Sequence, residues 1–60
     1  MASEERFSVV RRILEGKGYR LVRINGSHHI FEKPGCPKHE TVPVHHGKVR
    51  PEYVRQIKRL

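Results

Sequence analysis

The Asn25-Gly26 pair, set in the run Val22-Arg-Ile-Asn-Gly-Ser-His-His-Ile-Phe31, constrains this chain more than any other feature. Tyr19 to Ile24 is rich in β-formers, and Ser27 to Lys33 has the composition of a returning strand. Asn-Gly tolerates positive φ at both positions, which a type I′ hairpin turn requires. A two-residue turn here predicts a register. Ile24 then opposes Ser27, Arg23 opposes His28, Val22 opposes His29, Leu21 opposes Ile30 and Arg20 opposes Phe31. Alternation puts His28, Ile30, Arg23 and Leu21 on one face, and His29, Phe31, Val22 and Ile24 on the other. The second set is the expected buried face. His29 therefore turns inward or to the rim of the core, and His28 turns to solvent beside Arg23.

The flanking segments supply what covers that face. Ser3 before Glu4 and Glu5 predicts an N-cap with acids in the first turn. Phe7, Val10, Ile13 and Leu14 form one apolar stripe, so a helix is expected over residues 4–16, ended by Gly16 and Gly18. Pro34, Gly35 and Pro37 break the second strand. Thr41 to Val44 reads as a third, with Pro43 at an edge or strand end. Pro51 and Glu52 open a last helix whose stripe is Tyr53, Val54, Ile57 and Leu60. The expected fold is α+β: α-β-β-β-α, a three-stranded antiparallel sheet with two helices on one face, as one domain over residues 1–60.

Sixty residues bury only about 60% of the surface their unfolded chain exposes, so a deep substrate cavity is excluded. Any chemistry must take place on an open surface. Thirteen Lys and Arg against six Asp and Glu give a net charge of +7, spread along the chain. Such a surface suits nucleic acid or an acidic protein partner. Cys36 is the only cysteine, so no internal disulfide forms. The opening Met-Ala-Ser-Glu-Glu lacks a signal-peptide pattern, and no run is long enough to span a membrane. The expected location is the cytoplasm.

Several segments together resemble the HicA family, the toxins of HicA–HicB toxin–antitoxin modules. They are Leu14-Glu-Gly-Lys-Gly-Tyr-Arg-Leu-Val-Arg-Ile-Asn-Gly-Ser-His-His-Ile-Phe-Glu-Lys-Pro34, Glu40-Thr-Val-Pro-Val-His45 and the basic ending Tyr53-Val-Arg-Gln-Ile-Lys-Arg-Leu60. The Gly26-Ser27-His28-His29 run followed by Phe31 is the most specific part. The resemblance implies a double-stranded-RNA-binding-domain-like fold and a metal-independent mRNA endoribonuclease. It also implies an essential histidine directly after the glycine–serine pair, here His28, and a HicB-type antitoxin that covers the active surface in a hetero-oligomer.

The expected mechanism is attack of a ribose 2′-OH on the adjacent phosphate, with neutral His28 as general base. Arg23 offsets charge on the phosphate, with Lys33 and Lys48 as further candidates. Gly26 and Ser27 complete the expected RNA-binding set, since the glycine turn lets a nucleic-acid backbone approach. The leaving-group acid stays open between His45, His46 and water, and the histidine-rich turn at residues 44–47 is either an RNA contact or a solvated loop. The alternative is a non-catalytic RNA-binding module that reads duplex shape. A metal site drawn from His28, His29, Cys36, His39, His45 and His46 is a third reading. Adjacent strand histidines face opposite ways and four ligands must converge, so no metal and no cofactor are expected. Cys36, between Gly35 and Pro37, reads as an incidental loop cysteine.

Overall fold

The computed structural model describes residues 3–60. Its elements are β1 (Glu5–Arg6), α1 (Phe7–Gly16), β2 (Arg20–Asn25), β3 (His28–Glu32), β4 (His39–Pro43), β5 (Lys48–Val49) and α2 (Pro51–Lys58). Strands β2, β3 and β4 form an antiparallel sheet in that order, and β1 pairs with β5 in a separate two-stranded ribbon. The expected α-β-β-β-α order is present. The small ribbon is an addition the sequence reading did not contain.

Helix α1 buries Val10 and Leu14, half-buries Phe7 and Ile13, and leaves Arg11, Arg12 and Glu15 in water. It starts later than expected. Arg6, not Ser3, is the N-cap residue, and no side chain caps the helix. The reason is competition for the backbone: Glu5 and Arg6 pair with Val49 and Lys48, and the Phe7 N–H donates to the Gly47 carbonyl at 2.8 Å. That bond satisfies one of the four donors that a helix N-terminus leaves free. At the other end the Tyr19 N–H donates to Leu14 and the Gly18 N–H to Glu15, at 2.9 and 3.0 Å. This is a Schellman closure, with Tyr19 and Leu14 as its hydrophobic contact.

The hairpin register differs from the expected one. Asn25 pairs with His28, so the two turn residues are Gly26 and Ser27. Gly26 has φ of +62° while neither Asn25 nor Ser27 is in the left-handed region, the pattern of a type II′ turn rather than I′. Relative to the expected pairing β2 has moved by two residues, which preserves facing, so His28 still points outward. A β-bulge at Val22 then breaks the alternation. Arg23 opposite Ile30 still follows the register set at the turn, and past the bulge Leu21 stands opposite Phe31 in place of Val22. Leu21 thus joins the core side and Val22 is pushed out, 50% exposed, the reverse of the expected assignment. Ile24 pairs with the inward His29 yet is 57% exposed at the end of the strand.

Strand β4 runs His39–Pro43, two residues earlier than expected at its start, with Pro43 at its end. Beyond it, His45 and Lys48 exchange backbone hydrogen bonds of 3.0 and 2.9 Å around His46 and Gly47, whose φ values are +54° and +74°. The type I′ turn expected at Asn25-Gly26 is therefore found at His46-Gly47. It aims β5 back along the ribbon and buries Val49 completely.

Helix α2 begins with Pro51 at its first turn and buries Val54 and Ile57. Leu60, expected in the same stripe, lies past the helix end and is 45% exposed. The core is one cluster of Val10, Leu14, Tyr19, Phe31, Val42, Val49, Val54 and Ile57, with no buried polar side chain among the described residues. Phe31 and Val42 carry the sheet's contribution, and its outer face stays open.

Candidate active site

His28 and His29 are consecutive on β3 and face opposite ways. The inward His29 ring lies 4.4 Å from that of Phe7, tilted by 53°. Its Nδ1 is 3.3 Å from the Ser27 carbonyl oxygen, a distance at which a protonated Nδ1 donates to it. His29 is therefore a packing residue, as the alternation required. His28 is exposed, between Asn25 on one neighbouring strand and Pro43 on the other.

His28 lines a cleft of about 300 Å³ together with Pro43, His45, Arg50, Glu52 and Tyr53. Four segments converge there: the start of β3, the end of β4, the β4–β5 turn and the first residues of α2. The Val44 N–H donates to the Ser27 carbonyl at 2.8 Å, which ties together the residues immediately before His45 and His28. Pro51 starts α2 and so sets Arg50, Glu52 and Tyr53 around one turn of chain at the cleft wall. Glu52, at the positive end of that helix, is the cleft's one carboxylate. Arg50 makes no ion pair among the described residues, so its guanidinium is available to an anion.

The other expected site residues are dispersed. Arg23 shares the outer face but stands opposite Ile30, diagonal to His28 rather than across from it, because of the shifted register. Gly26 and Ser27 form the turn beside His28, and a Cβ on Gly26 would touch nothing within 4 Å, so this glycine serves conformation rather than space. Lys33 follows the far end of β3, about 16 Å along the strand from His28. Its Nζ lies 5.8 Å from the Tyr19 ring centroid. Lys48 is exposed on β5, across the turn from His45. Arg50, Glu52 and Tyr53 are not among the expected site residues, Glu52 and Tyr53 being expected only as part of the last helix. No sequence signal marks them, because they reach His28 through the packing of α2; the pairing of Pro43 with His28 accounts for His45 alone.

A larger groove of about 550 Å³ lies between Arg11, Glu15, Gly18, Tyr19, Arg20, Leu21 and Pro34. It contains no histidine, and its carboxylate is engaged with Arg11 at 3.1 Å. Cys36 is half-buried in its loop. Among the described residues no three of His, Cys, Asp and Glu converge as metal ligands, and no helix is long and apolar enough to cross a membrane.

The model of the family described as HicA toxin of bacterial toxin–antitoxin matches residues 7–60. The chain belongs to the HicA toxin family. No curated protein matches it. Membership makes it a toxin of a toxin–antitoxin system, with an antitoxin as its partner. The matched region includes every residue of the His28 cleft.

Proposed function

We propose that this HicA toxin is a metal-independent mRNA endoribonuclease and that His28 is its general base. The observation that carries this reading is the exposed His28 imidazole in a cleft with the unpaired guanidinium of Arg50, on a protein of net charge +7. A basic surface gathers the polyanion. A neutral imidazole then removes the proton of a ribose 2′-OH, and the oxygen attacks the adjacent phosphorus. Arg50 offsets the charge that builds on the phosphoryl oxygens, the type of fixed electrostatic help that supplies much of enzymatic rate enhancement. Arg23, Lys33 and Lys48 hold the RNA backbone to either side, and the Gly26-Ser27 turn lets the strand come close. The antitoxin, of HicB type, silences the toxin by covering this cleft in the cytoplasm.

The test is His28→Ala. General-base catalysis is worth on the order of 10²–10⁴ in rate, so toxicity on induction and cleavage of a transcript should both disappear. An exposed side chain typically changes stability by no more than about 0.5 kcal/mol, so the thermal transition should hardly move. A folded variant that still cleaves would remove His28 from the mechanism. Wild-type protein that binds RNA with a steep salt dependence but leaves it intact would make this chain a binding module.

A further inference from the structure

Transfer of the phosphoryl group to the 2′-oxygen leaves one proton unassigned. The P–O5′ bond breaks as the O2′–P bond forms, and the departing 5′-oxygen is a poor leaving group until it is protonated. Two adjacent histidines stand past the end of β4, and the structure separates them. His45 lines the cleft with His28, whereas His46 does not. His46 instead occupies the first central position of the type I′ turn, with φ of +54°.

The backbone holds His45 in place on both sides. Pro43 pairs with His28, the Val44 N–H is bonded to Ser27, and His45 exchanges both backbone bonds with Lys48. His45 is thus two residues, about 6–7 Å of extended chain, beyond the direct partner of His28. His28 and His45 line the cleft from separate segments, with Arg50 on its wall. That arrangement suits one phosphodiester with a base on one side and an acid on the other.

We propose that protonated His45 is the general acid that delivers a proton to the 5′-oxygen. The proposal rests on the reading of His28 as the base. His28 accepts the 2′-OH proton, His45 gives its proton to the leaving oxygen, and the products are a 2′,3′-cyclic phosphate and a free 5′-hydroxyl. No water, oxidant or metal is consumed. Both residues are exposed, so exchange with solvent returns the pair to its starting protonation. Arg50, Glu52 and Tyr53 are the other ionisable groups facing the cleft.

The experiment uses the full chain and a transcript whose cleavage position has been mapped. An oligonucleotide spanning that position is made in two forms, one natural and one with sulfur replacing the bridging 5′-oxygen. A thiol loses its proton near pH 8.5, so the sulfur leaves without an acid. His45→Ala should cleave natural RNA about 10²–10⁴-fold more slowly. It should cleave the sulfur-bridged RNA at close to the wild-type rate. His28→Ala should be inactive on both, because a better leaving group does not replace the base. His46→Ala should behave as wild type on both.

Full activity of His45→Ala on natural RNA would overturn the assignment while leaving the His28 reading intact. Equal impairment on both substrates would also overturn it, since it would mark His45 as structural. Activity of His28→Ala on natural RNA would remove both proposals. The His45 backbone bonds do not involve its side chain, so the variant keeps the hairpin, and its circular dichroism should match wild type.

Discussion

The two faces of β3 share a backbone and differ in almost everything else. On the inner face, Phe31 is completely buried and the His29 ring packs tilted against Phe7. On the outer face, His28 is open to solvent and to a cleft that holds Arg50 and Glu52. In a sheet covered on one side, residue type alone does not assign a histidine its role. Parity does, and for His28 and His29 it is set by the pairs next to the turn, while the bulge further along β2 reverses only Leu21 and Val22.

Phe31→Ala should cost about 3–5 kcal/mol, the range for deleting a buried aromatic side chain. For a chain of this size that is a large part of the total stability, so a thermal melt should show the variant largely unfolded and toxicity lost with the fold. His28→Ala should abolish activity with the fold preserved, the opposite signature. The third probe is the neighbour. His29→Ala removes an aromatic contact worth about 0.5–1.5 kcal/mol and should lower the melting temperature while RNA cleavage persists. A His29 variant that keeps its stability and loses cleavage would erase the distinction between the faces.

Chelation by EDTA should leave the cleavage rate unchanged, and a rate that falls and returns with added divalent ion would refute the metal-independent scheme. Burial, with Cys36 and then Glu40 beside it, holds the Tyr19 phenol above its ordinary value near 10. A raised folded value means that the folded state retains the proton more tightly. The contribution is therefore complete below pH 10 and is lost as the pH rises through the folded-state value. Phenolate absorbance followed alongside unfolding checks this, and a Tyr19 signal below the ordinary range would contradict it. Least of all, His46→Asn should raise stability by roughly half a kcal/mol, a fraction of the 1–2 kcal/mol of a left-handed residue, because Asn-Gly suits a type I′ turn.

Much of the fold was legible because helical stripes and strand composition carry it. Val10, Leu14, Val54 and Ile57 fell where their spacing put them. The hairpin was legible as a hairpin but not in register. Asn25-Gly26 and Gly26-Ser27 are both plausible two-residue turns, and what separates them is the fit of Leu21 and Phe31 into the core rather than turn chemistry. The β1–β5 ribbon was illegible because two-residue strands have no periodicity. Its consequence for the site was larger than its size, since the same turn that forms it sets His45 in the cleft. Arg50, Glu52 and Tyr53 were invisible for a related reason: they meet His28 only through tertiary closure of α2 against the end of the sheet.

The bulge at Val22 has an effect beyond facing. Strand β2 is an edge of the sheet, and an edge with regular pleating offers its free N–H and C=O groups as a template for another chain. The extra residue kinks that template, and the neighbouring Arg20 and Arg23 add like charge along it. A second copy presented to this border meets a broken ladder and a repelling guanidinium row. The chain thus carries its own guard against growing into fibres through the sheet that supports its chemistry.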